Sequence, residues 1–133
     1  MTEAAKLTVG FTYSRSVVVT DDMTPAHLRD EPIRVLSTPD MIRLIEGTAI
    51  EAVKPHLAPG QSTVGTRVDV RHFAATPVGR QVVAGAQVTK VDGRRIEFNI
   101  EATDGVAPIG SGTHERMVID MVRFVERLNL NSA

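Results

Sequence analysis

Hydrophobic and polar positions alternate with two different periods along this chain, and the switches between them mark out its elements. Residues Leu7 to Thr20 carry the β-branched run Val17-Val18-Val19, closed by Asp21-Asp22, and predict a first strand. Met23 to Ser37 has no period. Pro25 and Pro32 interrupt it and charges are scattered through it, so a loop or lid with a helical turn is expected over about 21–37. Thr38-Pro39-Asp40 is a helix start: a hydroxyl at the N-cap, proline at the first helical position and an acid in the first turn. The helix is expected to reach about His56 or Leu57, where Pro55 and then Pro59-Gly60 stop it.

Beyond Gly60 the period becomes two. Thr63 to Ala75 places Val64, Val68 and Val70 on one face and Arg67, Asp69 and Arg71 on the other. Arg80 to Val91 and Arg94 to Thr103 follow, joined by Asp92-Gly93, a type I′ hairpin signal. Asp104-Gly105 is a second such turn before a long strand from Ala107 to Met121. Val122 to Leu130 reads as a strand extension or a short helix. A strand, a lid, one long helix and four antiparallel strands make a single α+β domain over residues 1–133. The helix must cover one face of the sheet. A hot-dog fold, in which a five-stranded antiparallel sheet wraps one long helix, has these parts; so do helix-grip carriers and cystatin-like folds, and the pattern alone does not choose.

Composition narrows the function classes. A formal net charge of −1 gives no electrostatic basis for binding nucleic acid or an anionic membrane. The absence of cysteine removes disulfides, thiolate-ligated zinc and thiol nucleophiles, and leans toward the cytoplasm. Met1 to Gly10 lacks the apolar core of a signal peptide, and no apolar run approaches the ~20 residues of a membrane span. His56 and His72 lack a local zinc spacing, so no metal is expected, and no Gly-x-Ser-x-Gly elbow is present.

Two ionisable residues fall on apolar faces. At about 100° per residue, Ile42, Ile45, Ala49, Ile50, Val53 and Leu57 form one stripe of the helix, and Glu46 falls within it. On the strand after Gly60, His72 shares the parity of Val64, Val68 and Val70 and is expected to face the helix. A carboxylate and an imidazole sent into one layer suit acid–base work; a rim glutamate and a satisfied core histidine are the bland alternatives. Thr38 is explained by the N-cap alone, although a hydroxyl beside free helix N–H groups also suits an oxyanion. Gly65 fits a bulge, or a place where a ligand approaches the backbone. The Gly110-Ser111-Gly112-Thr113-His114-Glu115-Arg116 segment lacks phosphate-loop spacing and reads as the start of a strand.

These residues also resemble a family. Ser37-Thr38, Leu44-Ile45-Glu46, His56-Leu57-Ala58-Pro59-Gly60, Val64-Gly65-Thr66, Val70-Arg71-His72-Phe73-Ala74-Ala75 and Ile109 through Arg116 are similar to the fluoroacetyl-CoA thioesterase group of hot-dog proteins. The resemblance covers Ser37 to Ile119. It implies hydrolysis of an acyl-CoA-type thioester without a cofactor, by a catalytic threonine, glutamate and histidine at Thr38, Glu46 and His72. It further implies Gly65 beside the thioester carbonyl, Arg116 near the ligand, and a homodimer with two sites near the subunit interface. Members selective for fluoroacetyl-CoA carry lid phenylalanines. Here the four Phe are Phe11, Phe73, Phe98 and Phe124, all outside the lid, so the resemblance extends to thioester hydrolysis and not to fluorine selection. An acyl-CoA hydratase or dehydratase of the same fold, or a non-catalytic acyl or lipid binder, are the other readings of the same residues.

Overall fold

The computed structural model describes residues 6–131; residues 1–5, on which half of the signal-peptide reading rests, and residues 132–133 lie outside them. Five strands form one antiparallel sheet in the order β1-β3-β4-β5-β2: β1 (Thr12–Val18), β2 (Gln61–His72), β3 (Gln81–Asp92), β4 (Arg95–Thr103) and β5 (Pro108–Asp120). The helix α1 (Thr38–Val53) lies across one face, chiefly over β1, β3 and β4, and α2 (Met121–Asn131) follows β5. The lid contains two short 3-10 turns, Asp21–Met23 and Ala26–Leu28, and is tied to the body by a bridge from Val35 to Pro77. No helix among the described residues is long and apolar enough to cross a membrane.

The core lies between α1 and the middle of the sheet. Met41, Ile45, Ala49 and Val53 pack with Val82, Ala84, Phe98 and Ile100, all buried. This centres the buried face of α1 on Met41, Ile45, Ala49 and Ala52, and moves the expected stripe. Ile42, Glu46 and Ile50, four residues apart, form a row along its margin, and Ile50 is 40% exposed. Small and polar residues decided the difference, because Ala52 and Thr48 are buried although neither stands out in an apolar pattern. The helix runs out at Val53, and Lys54–His56 tightens into a 3-10 turn around Pro55, which has no N–H to give.

Three further expectations change. The first strand is shorter than Leu7 to Thr20, because a turn at Gly10, with φ +97°, precedes it. The loop between β3 and β4 is Gly93-Arg94, with positive φ at Gly93 alone; a type I′ turn would demand it of the arginine too. The last strand ends at Asp120, and the Met121 N–H is taken by the Gly60 carbonyl as the chain turns into α2.

The consequential change is in β2. Gly65 pairs with Arg116 and Arg67 with Glu115, so Thr66 is an extra residue, a β-bulge. The bulge reverses parity. Val64 pairs with Met117 on the face away from α1, not with the residues that share its number parity. Thr63 and Gly65 before the bulge, and Val68, Val70 and His72 after it, face the helix side together. The anticipated orientation of His72 is correct, but the stripe drawn through Val64 is not.

Candidate functional site

Two polar clusters stand along α1. The first is at its N-terminus. Ser37, not Thr38, is the N-cap: its Oγ accepts the Asp40 N–H at 3.1 Å. Thr38 is therefore the first helical residue and its hydroxyl is released from capping. It lies 2.8 Å from His72 Nδ1. Asp40 N–H is spent on the cap, Met41 N–H bonds the Ser37 carbonyl and Pro39 has none. The donors expected around a developing oxyanion thus narrow to Thr38 itself. The other ring nitrogen, His72 Nε2, is buried without a hydrogen-bond partner. Burial pulls the His72 pKa below its ordinary value, partly offset by the Ala74 backbone, so the ring is neutral near pH 7.

The second cluster forms where the middle of α1 meets the bulge. Glu46 reaches past the core margin, and its Oε2 accepts from Arg116 Nη1 at 3.0 Å. The Arg116 side chain is only 4% exposed while that of Glu46 is 39% exposed, so one end of this ion pair is dry and the other open. Two further donors of Arg116 are engaged: Nε with Thr63 Oγ1 at 2.9 Å and Nη2 with the Thr63 carbonyl at 3.1 Å. Desolvation lowers the guanidinium pKa, offset by Glu46, and leaves a cation that cannot lose its proton near neutrality.

Gly65 is required by this arrangement. A Cβ there would stand 2.8 Å from Glu46 Oε2, 3.2 Å from Arg116 Nη1 and 3.6 Å from His114 Cε1. The glycine is exposed, so its backbone is open beside the Glu46 carboxylate.

The expected meeting of Glu46 with His72 does not occur within the chain: their hydrogen-bond partners are Arg116 and Thr38. Thr38 is brought to His72, and Glu46 to Gly65 and Arg116. Thr38 and Glu46 are eight residues apart on α1, about 12 Å along its axis. Both clusters open on the same side of the sheet, beside the uncovered part of β2. Among the described residues, no three His, Asp or Glu side chains converge as a metal site.

Sequence reasoning missed His114. It is 1% exposed, stacked on Phe98 with ring centroids 6.0 Å apart, and 3.2 Å from Arg116 Nη1. The signal was in the strand period: Gly110, Gly112, His114 and Arg116 share one face, and that face is the buried one.

The architecture and chain are similar to known proteins throughout. The family model for fluoroacetyl-CoA-specific thioesterases matches residues 19–122. The chain is 38% identical over 122 residues, 87% of its length and 88% of the relative's, to the fluoroacetyl-CoA thioesterase of Streptantibioticus cattleyicolor. A solved structure of the fluoroacetyl-CoA thioesterase FlK superposes with a TM-score of 0.88 at 36% identity, covering 95% of this chain and 98% of that one. A hot-dog-like protein from Thermanaerovibrio acidaminovorans has a TM-score of 0.85 at 24% identity, over 94% of this chain and 93% of its own. The fold is the hot-dog fold, which settles the choice left open by pattern alone.

Proposed function

This chain belongs to the fluoroacetyl-CoA-specific thioesterase family and is a hydrolase of acyl-CoA thioesters, and on that premise we propose that it works as a homodimer whose active centre joins Thr38 and His72 of one protomer to the partner subunit's Glu46. The observation that carries this reading is the separation of the two clusters along α1. Each holds part of the needed chemistry, and neither is sufficient alone.

The edge of the sheet supports the pairing. β2 is an edge strand twelve residues long, with Val68 39% exposed on the helix side and the half-exposed row of Ile42, Glu46 and Ile50 beside it. A long, unpaired, partly apolar edge is a template for another strand. Two such edges meeting antiparallel about a two-fold axis run the Gly65 end of one toward the His72 end of the other.

In the assembled centre the thioester carbonyl lies over Gly65, where only backbone is present. His72 donates from Nδ1 to Thr38 Oγ, which leaves the threonine hydroxyl proton to meet the carbonyl oxygen. Glu46 supplies the attacking oxygen, either that of a water it deprotonates, which gives the acid directly, or its own, which gives an acyl–Glu46 anhydride that a water then hydrolyses to acid and carboxylate. The new C–O bond pushes the carbonyl π pair onto oxygen, Thr38 stabilises that charge, and collapse breaks the C–S bond. A thiol with a pKa near 8.5, by analogy with cysteine, leaves as thiolate with little help from an acid. Arg116, which holds the carboxylate through Nη1, serves by aiming Glu46 at the ligand. The lid over 21–37 holds no phenylalanine, so the acyl range extends beyond fluoroacetyl. The absence of cysteine suits a cytoplasmic setting.

Thiol release across short, branched and aryl acyl-CoA substrates tests the reading. Wild type should turn over at least one class, with Glu46→Gln and His72→Ala each reduced on the order of 10²-fold or more. Equal rates for Glu46→Gln and wild type would remove Glu46 from the chemistry.

A further inference from the structure

A buried histidine that the proposed reaction does not use lies directly behind Glu46. We propose that His114 is a positioning residue: as the neutral Nδ1–H tautomer it ties the bulge in β2 to Arg116, and through Arg116 it holds the Glu46 carboxylate beside Gly65. This rests on the reading of Glu46 given above and adds a residue to it.

The tautomer follows from the partners. His114 Nδ1 is 2.7 Å from the carbonyl oxygen of Arg67, which only accepts, so Nδ1 carries the proton. His114 Nε2 is 3.2 Å from Arg116 Nη1, which only donates, so Nε2 presents its lone pair. Both ring nitrogens are therefore satisfied by a neutral ring and by one tautomer. Phe98 fixes the ring plane from β4.

The link to Glu46 runs through a single nitrogen. Arg116 Nη1 donates to both Glu46 Oε2 and His114 Nε2, while Nε and Nη2 are occupied by Thr63. Thr63 fixes one edge of the guanidinium; His114 and Glu46 share the other. The Arg67 carbonyl belongs to the first residue after the bulge, so the histidine couples the backbone that bends around Gly65 to the cation that aims the carboxylate.

The charged groups facing the ring are Arg116 on its own strand and Glu46 from α1, with Glu115 adjacent on β5. Burial and Arg116 both work against protonation, and the Arg67 carbonyl and the two carboxylates only partly oppose them. A proton on Nε2 would place an N–H against Nη1 and push the guanidinium away from its position.

The test compares wild type, His114→Phe and His114→Gln. Phenylalanine keeps the ring stack and loses both hydrogen bonds; glutamine retains an amide oxygen able to accept from Arg116. On the acyl-CoA that wild type turns over best, His114→Phe should lower kcat on the order of 10- to 100-fold while KM moves less than about threefold. His114→Gln should recover part of that loss. Adding His114→Phe to Arg116→Met should cost little more than Arg116→Met alone, because the histidine acts through the arginine. Unchanged kcat in a folded His114→Phe protein, or a full additive loss in the double variant, would overturn the proposal. Long-range ¹H–¹⁵N spectra of wild type give an answer that needs no turnover: Nδ1–H and a bare Nε2 at pH 7 are expected, and Nε2–H or a charged ring contradicts the assignment. Absence of thiol release on every acyl-CoA counts against the proposed reaction, and the spectra then still decide the tautomer and its link to Arg116.

Discussion

At its first turn α1 offers Thr38 to solvent and to one nitrogen of His72; two turns further on it sends Glu46 against Arg116, which is itself gripped by Thr63 and His114. The first cluster is a single hydrogen bond on a rim, with the second nitrogen of His72 buried and unanswered. The second is a network in which the buried members satisfy one another and only the carboxylate and the Gly65 backbone are open. The difference is instructive. A buried cation must be fully partnered to be tolerated, so the Glu46 half is rigid in a single chain. The Thr38 half can stay unfinished because it lies at the surface, where, in the proposed dimer, substrate and the second protomer would complete it.

The contrast can be broken from the rigid side. Gly65→Ala places a methyl group 2.8 Å from Glu46 Oε2, and the carboxylate is the far end of a flexible side chain. It should swing away at little cost to the fold, so turnover should fall on the order of 10²-fold while the melting temperature moves by only a few degrees. Kinetics and a thermal melt on the same sample check this. A large drop in melting temperature would mean that the glycine serves the strand more than the site.

Burial depresses the pKa of both His72 and His114. Below about pH 6.5 the unfolded chain therefore binds more protons at these rings than the folded one, and stability is lost as the pH falls. Urea midpoints should hold above that value and decline progressively below it. Because His114 is buried and hydrogen-bonded at both nitrogens, His114→Phe should flatten this decline more than His72→Ala does. The reverse order would show that the rim histidine is the more strongly perturbed of the two.

Much of this was readable in the chain, for identifiable reasons. Strands β2 to β5 followed from a period of two and from Gly at the turns, and α1 from its start signal and from Pro55. What escaped reading depends on contacts distant in sequence. Parity along β2 fails at Thr66 because a bulge is defined by the partner strand, where Glu115 and Arg116 are adjacent while Arg67 and Gly65 are not. Thr38 looked fully explained by capping, but Ser37 one residue earlier is an equally good cap, and only the geometry shows which hydroxyl is taken. Glu46 stands out in the helix pattern, yet its partner in the chain is an arginine from β5 and not the histidine from β2. His114 is hidden by its setting, because the residues that share its face, Gly110 and Gly112, carry no side chain to mark that face as buried. Both glycines are packing devices: a Cβ on Gly112 would stand 2.0 Å from the Asp69 carbonyl oxygen, and one on Gly110 2.8 Å from the Arg71 carbonyl.

In the proposed dimer a working centre takes its histidine from one chain and its glutamate from the other. Co-expressing Glu46→Gln and His72→Ala under different tags and isolating the mixed dimer tests it directly. The mixed dimer holds one centre with both residues intact if the centre spans two chains, so thiol release should return to about half that of wild type, although each parent dimer is inactive. A mixed dimer as inactive as its parents would place Glu46 and His72 in the same chain's centre and contradict the account.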